Sequence, residues 1–207
     1  MIMLYNIKET TIIIGDSIAY GAWDIAGGWA DRIKIYREKL RIESNKYYLT
    51  YNIGISAETT DDLIKRYKQE IIARLDGEKN MNQCILAFGM NDIIMDGEVL
   101  RVDPEKFRSN LVEVISWIKS VSVDPLLASI TPINESIPAG QMLGRTDKNI
   151  NLYNQIIKEV TDVYGVIYVD VYSKLKKLSP SEYLNKDGLH PNDKGHEIIA
   201  TEVIKYL

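Results

Sequence analysis

Cysteine and histidine are scarce in this chain of 207 residues: one cysteine, Cys84, and two histidines, His190 and His196. A single cysteine excludes an internal disulfide and any metal site built from several thiolates. Cys84 lies in the apolar run 83–88, where a free cysteine is typical of a small buried side chain rather than a nucleophile. Chemistry that needs an imidazole must therefore use His190 or His196.

The sequence also lacks long apolar runs and an excess of positive charge. No run of about 18 apolar residues occurs, which excludes a membrane-spanning helix. Residues 1–10 include Lys8 and Glu9 and hold no apolar stretch of signal-peptide length, so we expect a cytoplasmic location. The net charge of −4 argues against nucleic acid as the main partner, because phosphate binding needs a basic face.

Short strand-like segments alternate with helical ones along the chain. The strand-like segments are residues 11–14, 47–51, 83–88, 125–130 and 166–170. Between them, apolar residues recur at helical spacing, as at Trp29, Ile33 and Tyr36. This alternation predicts a parallel sheet with helices on both faces. We expect a single domain over residues 1–207, since no linker, repeat or low-complexity tract interrupts the pattern.

Ser17 comes almost directly after the first strand-like segment. The β-branched residues 11–14 have no polar alternation, which indicates a strand buried on both faces. Gly15 then allows a sharp turn. A hydroxyl at the carboxyl end of a parallel strand lies where open α/β sheets bind ligands. The position suits a nucleophile, and it also suits a phosphate-binding loop.

His190 lies in a short loop, DGLHP at residues 187–191, ahead of the last helical segment. Asp187, three residues earlier, can present a carboxylate to one ring nitrogen while the other stays free. That pairing is the orienting half of a hydrolase triad. The alternative is an Asp-Gly turn followed by a surface histidine. His196 falls inside the last helical segment, where we expect a solvated or helix-packing role.

Two further strand ends carry glycine and asparagine. Gly54 follows the segment 47–51, and Asn91 follows the segment 83–88. A backbone N–H at glycine and a side-chain amide both suit an oxyanion hole, where fixed donors stabilise developing negative charge. Each segment taken alone is better explained by turn chemistry, because glycine and asparagine favour turns.

The four segments together resemble the SGNH hydrolases, the GDSL-type lipase and esterase family. The family's blocks occur in order as Gly15-Asp16-Ser17-Ile18, Gly54, Gly89-Met90-Asn91-Asp92 and Asp187-Gly188-Leu189-His190-Pro191. Ile18 stands where the family name has leucine, an apolar exchange. The resemblance spans residues 15–192 and implies a flavodoxin-like, three-layer α/β/α sandwich with a five-stranded parallel sheet. Asp16 and Asp92 are implied to support the turns that carry them.

The resemblance also implies ester hydrolysis without a metal or other cofactor. It makes Ser17 the nucleophile and His190 the general base and later the general acid. Asp187 would orient His190 and stabilise its cation. The oxyanion hole would consist of the backbone N–H groups of Ser17 and Gly54 and the side-chain amide of Asn91.

Two alternatives from other classes stay open. A metal-dependent phosphoesterase could hold Mg²⁺ or Mn²⁺ with oxygen ligands and one imidazole. Its ligands would be Asp16, Asn91, Asp92, Asp187 and His190. A non-catalytic, flavodoxin-like binding protein would hold phosphate after the first strand, where the chain has few glycines and no P-loop lysine. Neither alternative explains the pairing of Asp187 with His190.

The substrate is less well indicated than the chemistry. Tyr20 and Trp23 follow Ser17 closely, and Met142 lies in the long loop 133–147, so we expect these three side chains to contact substrate. We expect a small or medium acyl ester rather than a phospholipid. Members of this family also act on thioesters, lysophospholipids and acetylated sugars. The resemblance therefore implies the reaction rather than one substrate.

Overall fold

The computed structural model describes residues 8–44, 46–75, 81–138 and 141–207. The strands are β1 (Lys8–Gly15), β2 (Tyr47–Asn52), β3 (Met81–Ala87), β4 (Met95–Asp96), β5 (Val99–Leu100), β6 (Asp124–Ala128) and β7 (Ile167–Val169). The helices are α1 (Ser17–Tyr20), α2 (Gly28–Ser44), α3 (Thr60–Ile72), α4 (Pro104–Ser120), α5 (Asp147–Tyr164), α6 (Val171–Leu175), α7 (Pro180–Tyr183) and α8 (Asp193–Ile204).

Five strands form one sheet in the order β2-β1-β3-β6-β7, and all its neighbouring pairs are parallel. The chain runs outward from β1 to β2, then crosses back to β3 and runs outward through β6 to β7. Because such crossovers are right-handed, opposite directions place helices on opposite faces. In agreement, α2 packs with α8, and α4 packs with both α3 and α5. The predicted three-layer α/β/α fold with a five-stranded parallel sheet is confirmed.

The central strand β1 forms the middle of the apolar core. Ile12, Ile13 and Ile14 have no exposed surface, because helices cover both faces of the sheet. Cys84 of the neighbouring strand β3 is equally buried, which confirms its predicted place in the core. Burial raises the pKa of the Cys84 thiol to about 12, so it stays protonated and unreactive at neutral pH.

Predicted and observed boundaries differ where tertiary hydrogen bonds replace strand pairing. Strand β6 ends at Ala128 rather than at residue 130, because both backbone groups of Ile130 bind the side-chain amide of Asn154 on α5. The connection between β3 and α4 contains the β4–β5 hairpin, across which Arg101 pairs with Asp96. Apolar periodicity carries no signal for either feature.

The carboxyl ends of β1 and β3 lie side by side, with Gly15 paired to Ala87. The chain leaves these two strands in opposite directions across the sheet, which opens a crevice between their ends. Open α/β sheets bind ligands at this kind of reversal. Ser17 follows β1 and Asn91 follows β3, so the fold brings two of the predicted site segments to one crevice.

Candidate active site

Ser17 is the first residue of α1, and the turn before it is shaped by Gly15 and Asp16. A Cβ atom on Gly15 would lie only 2.5 Å from the carbonyl oxygen of Ala87, so no side chain fits where the turn passes β3. Asp16 caps α1, since its Oδ1 accepts the N–H of Ile18 at 2.9 Å. The turn is thereby held tightly against the end of β3, with Ser17 at the crevice.

Ser17, His190 and Asp187 form a continuous hydrogen-bonded chain. The Oγ of Ser17 lies 3.0 Å from Nε2 of His190, and Nδ1 of His190 lies 2.6 Å from Oδ2 of Asp187. Because a carboxylate only accepts, the ring proton lies on Nδ1, and Nε2 is left to accept the hydroxyl proton of Ser17. The arrangement is that of a nucleophile, a base and a group that orients the base.

The Asp187 carboxylate also shapes its own loop. Its Oδ1 accepts the backbone N–H groups of Leu189 at 3.0 Å and His190 at 3.1 Å. Burial tends to raise the pKa of Asp187, but hydrogen bonds from the His190 ring and these two N–H groups outweigh it and hold that pKa below its usual range. Asp187 is therefore ionised at neutral pH and can stabilise a protonated His190.

A cleft of about 420 Å³ opens over Ser17 and His190. Its walls include Trp23, Ala57, Asn91, Met142, Leu143 and Arg145. Of the predicted substrate contacts, Trp23 and Met142 thus lie in the cleft wall, whereas Tyr20 is outside it and mostly exposed. Trp23 is 71% exposed, and its ring centre lies 6.1 Å from that of His190.

Gly54 is not among the residues that line the cleft. Its N–H donates to Oδ1 of Asn52 at 3.0 Å, and a Cβ at this position would lie 2.6 Å from the backbone nitrogen of Tyr20. The absence of a side chain at Gly54 is needed where the end of β2 packs against α1. Its N–H is already engaged, so this geometry argues against the predicted role of Gly54 as an oxyanion donor.

Ala57 lines the cleft instead, although the sequence motifs did not single it out. Its φ of 67° lies in the left-handed region, which is uncommon for a residue other than glycine. Its N–H makes no hydrogen bond to the described part of the chain. The available signal was indirect: the capping box of Thr59 and Asp62 marks the start of α3 and leaves residues 54–58 as the turn before it.

Asn91 is buried in the cleft wall and held at both ends of its side-chain amide. Its Nδ2 donates to the carbonyl oxygen of Glu58 at 2.9 Å, and its Oδ1 accepts from Nη2 of Arg145 at 2.9 Å. The amide nitrogen carries two hydrogens, so one is left after the bond to Glu58. Asn91 can therefore still donate to a ligand. Arg145 is a second cleft residue that no sequence motif indicated.

Asp16 and Asp92 are the buried carboxylates of the loops after β1 and β3. Burial raises the pKa of Asp16 to about 7 and that of Asp92 to about 6. Asp92 accepts the N–H and the hydroxyl of Thr60, which joins the start of α3 to the loop after β3. Within the described ranges, no group of three or more His, Cys, Asp or Glu side chains could hold a metal ion. The carboxylates and the histidine of the phosphoesterase alternative therefore form no such group there.

His196 is fully buried on α8, which confirms the helix-packing role among the two that were expected. Its Nδ1 accepts the backbone N–H of Trp29 at 3.2 Å. Burial lowers the pKa of His196 to about 4, so the ring is neutral at physiological pH.

Comparison with known proteins agrees with this fold. A curated relative, the uncharacterized lipoprotein YqeF of Bacillus subtilis (strain 168), is 26% identical in an alignment that covers 92% of this chain and 86% of that protein. The crystal structure of the lipase/acylhydrolase from Enterococcus faecalis has a TM-score of 0.77 at 23% identity and covers 96% of this chain and 94% of its own. Axe2, an acetylxylan esterase from Geobacillus stearothermophilus, has a TM-score of 0.74 at 21% identity, with coverages of 95% and 93%.

The family predicted from the four sequence blocks is the one that the chain matches. Residues 13–198, which include all four blocks, fit the sequence profile of the GDSL-like Lipase/Acylhydrolase family. The match extends from the first strand of the sheet into the last helix. This chain therefore belongs to the GDSL-like lipase/acylhydrolase family.

Proposed function

We propose that this protein is a serine hydrolase that cleaves carboxylic esters through an acyl-enzyme. The proposal rests on the hydrogen-bonded chain from Ser17 through His190 to Asp187, at 3.0 and 2.6 Å. Membership of the GDSL-like lipase/acylhydrolase family supports ester hydrolysis. Two further matching structures are catalytic mutants of Axe2. One has a histidine replaced by alanine, and the other has a serine replaced by alanine. They support the same pair of residue types here.

In the first half of the reaction, Nε2 of His190 takes the proton of Ser17 Oγ as this oxygen attacks the ester carbonyl. The tetrahedral intermediate collapses when His190 returns the proton to the departing alcohol, which leaves the acyl group on Ser17. Water then gives its proton to His190 and attacks the acyl-enzyme. In the second collapse His190 returns this proton to Ser17 Oγ, which releases the carboxylic acid and restores both residues. Asp187 stabilises the protonated ring of His190 in both halves.

The oxyanion would be held by the N–H groups of Ser17 and Ala57 and by Nδ2 of Asn91. Neither N–H group is hydrogen-bonded within the described part of the chain, and all three residues lie in the cleft wall. Ala57 takes the place predicted for Gly54, because the N–H of Gly54 is engaged with Asn52. Each such donor typically contributes about 10²- to 10³-fold to the rate.

The position of Trp23 favours an ester with a cyclic alcohol part. His190 delivers a proton to the departing alcohol, so a side chain beside His190 lies on the alcohol side of the scissile bond. Trp23 has an open aromatic face there, on which a sugar or aryl ring can stack. A cleft of about 420 Å³ supports a small or medium substrate. The acetylxylan esterase activity of Axe2 supports an acetylated sugar as one such ester.

Labelling by a fluorophosphonate, followed by assays on p-nitrophenyl esters from acetyl to palmitoyl and on acetylated sugars, tests the proposal. Ser17→Ala should abolish the label and lower kcat/KM by about 10⁴-fold or more. Ser56 is a second serine in the cleft wall and provides the matched control, since Ser56→Ala should keep the label. A label retained by Ser17→Ala would contradict the assignment. An unlabelled parent protein would indicate a binding protein instead.

We also propose that the protein is located in the cytoplasm. In the described ranges, none of the helices combines the length and the apolar character needed to cross a membrane. The relative from Bacillus subtilis is named a lipoprotein, which is the alternative that a measurement has to distinguish. Fractionation of cells that carry the natural gene, with immunodetection, would provide it.

A further inference from the structure

An oxyanion donor at Asn91 works only when its amide is turned the right way. The two ends of a side-chain amide have nearly the same shape, but one end only donates and the other only accepts. With the nitrogen toward the substrate the amide stabilises an oxyanion, whereas with the oxygen in that place it repels one. The orientation must therefore be set by the groups around Asn91.

Two groups of opposite character contact the Asn91 amide. Arg145 can only donate, so the atom facing its Nη2 at 2.9 Å must be Oδ1. The carbonyl oxygen of Glu58 can only accept, so the atom facing it at 2.9 Å must be Nδ2. A flipped amide would place hydrogens against the guanidinium and oxygen against oxygen. Because Asn91 is buried, water cannot relieve either contact.

Arg145 is itself fixed in place by two more hydrogen bonds. Its Nε donates to the carbonyl oxygen of Met90 at 2.7 Å, and its Nη1 donates to that of Met142 at 3.1 Å. The three bonds all go to neutral oxygens, although Arg145 is only 6% exposed. Burial lowers the pKa of Arg145 to about 10, so the group keeps its charge at neutral pH. A rigid planar fork with several donors is specific to arginine and is lacking in lysine.

We propose that Arg145 is a positioning residue for the oxyanion hole. It holds the Asn91 amide with Nδ2 available to the substrate, and it places a positive charge behind that amide. Because it binds the carbonyl oxygens of both Met90 and Met142, it also holds the loop after β3 against the loop 133–147. The inference rests on the proposed ester hydrolysis and adds to it a residue 54 positions from the one it orients.

A double-mutant cycle between Arg145 and Asn91 tests this role, with p-nitrophenyl acetate as substrate. Arg145→Met should lower kcat by about 10²-fold, as expected for loss of one oxyanion donor, with KM nearly unchanged. In an Asn91→Ala background, the same Arg145→Met change should lower kcat by less than about threefold, because the amide it orients is gone. Equal losses in both backgrounds, or an unchanged kcat in Arg145→Met alone, would overturn the proposal.

Two further variants separate positioning from folding. Arg37 on α2 is a second buried arginine, and it pairs with Glu9 of β1 at 3.2 Å. Arg37→Met should therefore lower the melting temperature and leave kcat unchanged. If Arg145→Met does not fold, Arg145→Lys keeps the charge but not the fork, and should still lower kcat by about tenfold or more. A kcat equal to that of the parent in Arg145→Lys would overturn the proposal. The cycle requires an unlabelled parent that is active and that reacts with the fluorophosphonate in a separate sample. A parent that is inactive and does not react would instead overturn the proposed function.

Discussion

His190 and His196 lie on either side of the start of α8, and they differ in their exposure and in the groups that bind their ring nitrogens. His190 has a carboxylate on Nδ1 and a hydroxyl on Nε2, and its side chain is 14% exposed at an open cleft. His196 has no exposed surface, and its Nδ1 accepts a backbone N–H from Trp29. A carboxylate on one nitrogen and open space at the other are what would allow His190, and not His196, to act as a base.

The segment after the serine turn contacts both histidines and produces much of this difference. Trp23 lies beside His190 but remains largely exposed, so the cleft stays open there. Farther along, the Trp29 N–H binds His196, and a Cβ on Gly28 would lie 3.4 Å from the His196 ring. One short segment thus covers one imidazole and leaves the other accessible.

Replacing His190 with alanine should have the largest effect, and it should lower catalysis without lowering stability. We expect kcat/KM for p-nitrophenyl acetate to fall by about 10⁴-fold or more, because Ser17 loses its base. The melting temperature should change little. His196→Asn is the matched control and should keep kcat/KM within about threefold of the parent. Similar losses of activity in the two variants, in initial-rate assays, would contradict the division of roles.

His196 should affect stability in acid rather than catalysis. An unfolded histidine has a pKa of 6.5, and burial lowers the folded value to about 4. Below pH 6.5 the unfolded chain binds a proton that the native protein does not, so this contribution is complete above pH 6.5 and is lost as the pH falls through about 4. The loss should reach about 3 kcal/mol in the free energy of unfolding near pH 4.

Urea unfolding of the parent and of His196→Asn from about pH 7 to pH 4 measures this contribution. The asparagine oxygen can still accept the Trp29 N–H, and the variant has no imidazole to protonate. Acid effects of the carboxylates are common to both proteins, so the difference between the two curves isolates His196. The parent should lose more stability than the variant, and parallel curves would show that the buried ring is not responsible.

Trp23→Gly should have the smallest effect. It tests what the segment that contacts both histidines contributes to substrate binding. The φ of Trp23 is 67°, a left-handed conformation that costs a residue with a side chain about 1 kcal/mol and that glycine adopts freely. Since the ring is mostly exposed, the free energy of unfolding should change by no more than about 1 kcal/mol. KM for esters of cyclic alcohols should rise about three- to tenfold with the loss of ring stacking.

The matching methyl esters provide the control for Trp23→Gly, because their alcohol part is too small to stack. Their KM should stay near the parent value in the same steady-state assays. A uniform rise in KM for both kinds of ester would place Trp23 in general cleft structure rather than in recognition of the alcohol part.

Local sequence determined the features that depend on near neighbours. An unbroken β-branched run followed by Gly15 predicted a buried strand and a sharp turn, and the structure has both. The spacing of Asp187 and His190 predicted their contact, because three residues with a glycine between them already bring the groups within reach. The parallel sheet followed from alternation of strands and helices, a pattern set by burial on both faces.

The packing of the elements, which the sequence did not reveal, sets the surroundings of the proposed oxyanion donors and buries His196 rather than His190. Gly54 and Ala57 lie in one turn, and the side chain of Asn52 is what engages the N–H of Gly54. Arg145 meets Asn91 across two loops that are far apart in sequence, and His196 meets Trp29 only because α8 packs on α2. Such contacts depend on how elements pack, and no spacing along the chain encodes them. The local sequence therefore determined the groups that we propose to react, and the packing of distant elements determined which neighbouring atoms have no hydrogen-bond partner and are available to a substrate.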